Sequence, residues 1–105
     1  MGVKLQALAD VTVAVTGTPQ PLLAPPYPQN VVGVRIAPIA GVLYVGGPEL
    51  DQGAGITGIK LDAAATAGPQ AIELGVAENS MNIDAIYIEG TATNKVAVAV
   101  YIKTS

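Results

Sequence analysis

The chain contains no cysteine, no tryptophan, no phenylalanine and no histidine. Without cysteine there are no disulfides, thiol nucleophiles or thiolate metal sites, and the fold is indifferent to redox compartment. Without histidine the commonest general base and metal-binding imidazole are gone as well. Ser80 and Ser105 are the only serines; neither lies in a nucleophile-elbow sequence, and no imidazole exists to activate them. Charge is equally scarce. Only 12% of residues are Asp, Glu, Lys or Arg, against roughly 25% in an ordinary globular domain.

The five bases, Lys4, Arg35, Lys60, Lys95 and Lys103, are scattered along a chain of net charge −3. A phosphate-neutralising patch gathers Lys and Arg on one face, so no nucleic-acid partner is expected. No apolar run approaches bilayer length, and the opening MGVKLQALADV lacks the continuous apolar core of a signal peptide. No membrane partner is expected. Gln6 stands where a myristoylation motif requires Ser or Thr.

Half of the residues are hydrophobic, yet the only aromatics are four tyrosines. Val, Ile, Leu and Ala pack well on a pleated surface, and 105 residues suffice for one core, so a single domain over 1–105 is expected. So little surface charge suits a chain whose exterior is covered by copies of itself or by a larger assembly. A small monomer with a neutral surface is the alternative.

Residues 83–102, IDAIYIEG-TATN-KVAVAVYI, organise the rest. Val96, Val98, Val100 and Ile102 alternate with Ala97, Ala99 and Tyr101, a period of two that a helix does not show. With the Gly/Thr/Asn connection, the stretch reads as a β-hairpin. Upstream, Val3, Leu5 and Ala7 share one parity, and Val11, Val13 and Val15 share a face after a change of register near Ala9-Asp10. That pattern predicts a strand with a kink or bulge, a helix over residues 3–9 being the alternative. Residues 17–30, GTPQPLLAPPYPQN, hold five of the eight prolines and predict an extended loop or edge strand. This segment reads either as a pre-organised arm that docks on a neighbour or as a long crossover closing one end of a sandwich.

Further strands are expected at VVGVRIA, with Val32, Val34 and Ile36 inward and Arg35 outward, then at VLYVGG, around Ile59 and Leu61, and over residues 71–76. Residues 62–68 read as one helical turn capped by Asp62 or as a loop of small residues. Residues 77–82 read as a polar connection with Met81 toward the core. About eight short strands separated by Pro- and Gly-rich turns predict an all-β fold: an antiparallel β-sandwich of jelly-roll or Greek-key type. LYVGG and IYIEG are alike, and mark two equivalent strand-to-turn corners rather than a repeat array.

Catalytic chemistry finds no footing. Gly53, Gly55 and Gly58 in GAGITG have dinucleotide-fingerprint spacing but no βαβ context, so they read as loop-formers. Glu49 and Asp51, with Asp62 downstream, are the nearest thing to a cation site, yet they do not repeat the pattern of a calcium loop. Asp84 and Glu89 have opposite parities and do not converge. No catalytic residue, cofactor or metal is expected, and the chain does not read as an enzyme.

The order VTVAVTGTPQPL, VVGVRIAPIAGVLYVGG and IDAIYIEGTATNKVAVAVYI resembles small β-sandwich virion proteins of tailed bacteriophages, of the capsid decoration or cement type. The resemblance covers most of the chain and rests on strand and turn grammar. It implies a structural protein made in the bacterial cytoplasm and carried on the exterior of a phage head. There it would bridge subunits of the major capsid protein or other virion proteins, as a homo-oligomer, trimer or dimer. Contact residues chosen on apolar character are Leu22, Leu23, Pro25, Pro26 and Tyr27 in the arm, then Val3 and Leu5. A tail, connector or fibre subunit, or a module binding a host receptor or carbohydrate, is the alternative.

Overall fold

Alternating residues build two antiparallel sheets. The computed structural model describes residues 2–64, 71–75 and 83–104. Among them are nine strands: β1 (Val3–Ala7), β2 (Val11–Thr12), β3 (Gln20–Pro21), β4 (Val31–Ala40), β5 (Val42–Gly46), β6 (Ile59–Asp62), β7 (Ile72–Gly75), β8 (Tyr87–Gly90) and β9 (Lys95–Lys103). One sheet runs β1-β9-β4-β7, with β2 also on β9; the other runs β3-β8-β5-β6. Counting β1 and β2 as one interrupted strand gives eight strands, four in each sheet. The chain passes back and forth between the sheets in the nested order of a jelly roll, with β5 and β6 following one another in the same sheet. The expected β-sandwich is the fold.

The interruption is a one-residue bulge. Ala7 pairs with Ala99 and Val11 with Val96, so four steps on one side match three on the other. An extra residue swaps the faces that the following residues occupy. Val3, Leu5 and Ala7 therefore share a face with Tyr101 and Ala99, away from the core, whereas Val13 is buried.

Residues 83–102 do not form the expected hairpin. Ile83–Ala85 is a turn of 3-10 helix, β8 lies between β3 and β5, and β9 lies between β1 and β4 in the other sheet. The Thr/Asn connection is thus a corner from sheet to sheet. Beside it, Gly41 carries β4 into β5 through a second corner at φ 78°, a left-handed conformation open to glycine at little cost. The two bent chains run antiparallel through both sheets, β4 on β9 and β5 on β8. LYVGG and IYIEG are neighbours in the second sheet, with Tyr44 and Tyr87 half-buried on its outer face.

Asn94 ties the two corners together. Its side-chain amide donates to the Val42 carbonyl at 2.8 Å, and its own carbonyl accepts from the Val13 amide at 2.8 Å. Asn94→Ala strands the Val42 carbonyl, and should lower stability by about 1–3 kcal/mol in urea unfolding.

Valines and isoleucines from both sheets fill the core. Val34, Ile36, Val96 and Val100 from the first sheet and Leu43, Val45, Leu61 and Ile88 from the second are each at most 1% exposed. Residues 65–70 and 76–82 lie outside the described residues. The second half of the expected 62–68 segment, together with Val76 and Met81, falls there. Asp62 accepts from the Ala64 amide at 2.9 Å, a local turn at the end of β6.

Candidate interaction surface

Two apolar features lie on the exterior, both set by the bulge. The first is the outer face of the β1-β9-β4-β7 sheet. Val3, Leu5 and Ala7 stand opposite Lys103, Tyr101 and Ala99. Tyr101 and Ala99 in turn stand opposite Gly33 and Arg35, and Ala97 opposite Ala37. All five residues of β1 are exposed, with Val3 at 52% and Leu5 at 60%. Small residues keep this face flat, and the Arg35–Glu73 ion pair (2.7 Å) marks its polar side. That exposed pair adds little stability.

The second feature is a groove of about 870 Å³ between residues 6–14 and 20–28. Leu8, Val11, Leu23, Pro25, Pro26 and Tyr27 line it, with Asp10 and Gln20 among its polar groups. Residues 13–20 cross from β2 in one sheet to β3 in the other. The Gln20 side chain holds this crossing by accepting from the Ala14 amide (2.8 Å) and donating to the Thr12 carbonyl (3.2 Å). The Leu22 amide then donates to the Ile86 carbonyl at 2.8 Å. The proline-rich segment is therefore a crossover and an edge strand, with its later half forming one wall of the groove. Pro25-Pro26 is joined by a cis peptide.

Among the residues expected at an interface, Leu22 requires correction. It is 1% exposed and belongs to the core, because the crossing brings residue 22 between the sheets beside Ile86 and Ile88. Leu23 is half-buried against that core. Pro25, Pro26 and Tyr27 are exposed on the groove wall, whereas Val3 and Leu5 lie on the outer sheet face at a different place. The arm and the N-terminal strand are thus two surfaces. Leu8 and Val11, the opposite wall of the groove, were not singled out from the sequence; the register change at Ala9-Asp10 was the available signal.

The acidic residues do local work. Asp51 accepts from the Ala54 amide at 3.3 Å and caps the turn Gln52–Ala54, which contains the first part of GAGITG. Glu89, 1% exposed on the outer side of β8, accepts from the Gln52 amide at 3.2 Å under this loop. Asp84 is exposed in the turn before β8. Among the described residues no three acidic side chains gather as a cation site.

The fold defines a jelly-roll β-sandwich with an apolar outer face. Comparison with protein-family models, with curated proteins and with solved structures finds no match for this chain.

Proposed function

We propose that this chain is a non-enzymatic structural subunit of a bacteriophage particle, a decoration or cement protein that lies on the head and bridges capsid subunits. The observation that carries the reading is β1, a strand whose five residues are all exposed and whose apolar side faces outward. Together with the low charge and the sequence resemblance to small virion proteins, such a strand favours a chain that lies against other subunits. A flat face can bury the ~800 Å² per partner typical of a stable interface, and many copies would multiply the cost of rupturing the shell. Jelly rolls serve as viral capsid and lectin domains, and a sandwich of this kind suits a subunit that lies against its neighbours.

The test is to quantify this chain against the major shell protein in purified particles. Copy numbers comparable with the shell protein support decoration. The few copies of a tail, connector or fibre would move the chain there, and absence from particles would overturn the virion reading. The groove supports one further reading, a receptor- or carbohydrate-binding module, because Tyr27 offers a stacking surface beside Asp10 and Gln20. In that case particles lacking the chain would keep a stable head and lose adsorption to the host.

A further inference from the structure

Among the described residues β1 is paired along one side only, with β9. At its two ends the Gly2 carbonyl accepts from the Thr104 amide, and the Leu8 amide donates to the Val98 carbonyl, both at 2.9 Å. Even-numbered residues therefore turn their backbone groups toward β9. By the alternation of an antiparallel ladder, Val3, Leu5 and Ala7 turn theirs to the opposite, open edge. An open edge is a template for another strand, which natural sheets usually blunt with charged side chains, proline, a bulge or a very short strand. β3 is blunted in that way: it is two residues long and ends at Pro21. β1 contains no proline, its bulge lies beyond Ala7, and its one charged residue, Lys4, stands at a position whose backbone groups bond to β9 rather than to the open edge.

We infer that two copies of this chain join edge to edge through β1, antiparallel, about a two-fold axis at Leu5. In this register Val3 faces Ala7 of the partner subunit, Leu5 faces its own equivalent, and Ala7 faces Val3 of the partner subunit. All three are pairs whose backbone groups point at each other, giving about six hydrogen bonds across the junction. A shift of two residues in either direction loses a pair. On the other face of the strand Lys4 falls opposite Gln6 of the partner subunit, so each cation meets a neutral amide rather than its like. Both side chains are exposed, so the charge stays in water.

A second copy is the occupant because the strand is complementary to itself, in backbone polarity, in apolar face and in charge. Leu5 is paired with Tyr101 in its own sheet. The junction therefore makes one apolar band, running from Tyr101 through the two leucines to Tyr101 of the partner subunit. It leaves that band facing outward, doubling the flat face rather than covering it. The inference stands on the geometry of β1 alone, and a negative particle assay would leave it in place.

The native chain has no cysteine, so an introduced one reports a single position. Sedimentation of the full chain should give twice the 10.5 kDa protomer mass. Leu5→Cys should cross-link to a covalent dimer under mild oxidation. Facing residues of such a pair are about 5.5 Å apart at Cα, within disulfide range. Val3→Cys alone should not cross-link, its two copies lying roughly 13 Å apart, but Val3→Cys mixed with Ala7→Cys should. Leu5→Pro, which removes an outward amide and spares the bonds to β9, should sediment as a folded monomer. A native chain of protomer or three-protomer mass would overturn the inference. So would a Leu5→Pro variant that still dimerises, or Val3→Cys cross-linking as readily as Leu5→Cys.

Discussion

Replacing Leu22 by alanine should lower stability by about 2–5 kcal/mol, a fall of roughly 10–25 °C in Tm for a chain of this size. Leu22 is 1% exposed, at the point where the chain has just crossed from β2 to β3. Its side chain joins the core cluster that holds Ile86 just before β8, Ile88 of β8, and Val96 and Val98 of β9. Truncation leaves a cavity whose walls are strands fixed by their own ladders, so little collapse can relieve it. Tyr27→Ala, five residues on, should change Tm by no more than a few degrees, because Tyr27 is 37% exposed on the groove wall. Thermal unfolding of the two variants separates core from surface within one proline-rich segment. Equal losses would show that the whole segment is part of the core. The contrast also decides how docking should be probed: Pro25 and Tyr27 can be changed without unfolding the protein, and Leu22 cannot.

Gly58→Val should be at least as damaging, costing about 3 kcal/mol or more. Gly58 has φ 63°, a left-handed conformation that costs a non-glycine residue about 1–2 kcal/mol. A β-branched residue tolerates it least. The conformation is only part of the cost. A Cβ at this position would run into the backbone carbonyl oxygen of Val45 and come within 3.2 Å of the Leu50 side chain. Val45 is held on both sides, paired with Ile59 of β6 and Ile88 of β8, and Leu50 is itself buried. Neither can retreat cheaply, so the bulk would push β6 away from β5. Urea unfolding of Gly58→Ala and Gly58→Val should show a graded loss, with valine the worse. An unchanged midpoint for both would mean that the loop before β6 yields freely.

Much of the first sheet was legible in the residues. Val96, Val98, Val100 and Ile102 are inward, Arg35 is outward between Val34 and Ile36, and the strand near the start changes register where Ala9-Asp10 interrupts its alternation. The candidate surface was legible only in part. Val3 and Leu5 are exposed, but Leu22 has the same apolar character as Leu23 and lies inside. Character alone does not distinguish a leucine that covers a core from one that belongs to it. The crossing held by Gln20 makes that distinction, through bonds to Thr12 and Ala14 six to eight residues away.

By itself the sequence determined which residues of the regular strands β8 and β9 and of the 34–36 stretch of β4 are inside, because a period of two assigns each side chain of such a strand to a face before any partner strand is known. It also excluded thiol and imidazole chemistry by composition. Which sheet each strand joins was decided by tertiary structure alone. Ile88 and Val98 are buried whether β8 and β9 lie side by side or face each other across the core, so parity is the same in both arrangements. The choice falls at the corners. Asn94 reaches across to Val42 and Val13, and Gly41 turns β4 out of its sheet. These contacts join residues about fifty to eighty positions apart, and no local pattern in the chain encodes them. The direction of β1 was settled in the same way. One extra residue opposite β9 turns Val3 and Leu5 outward, because the ladder to β9 holds the strand while the second sheet leaves nothing over it to bury them.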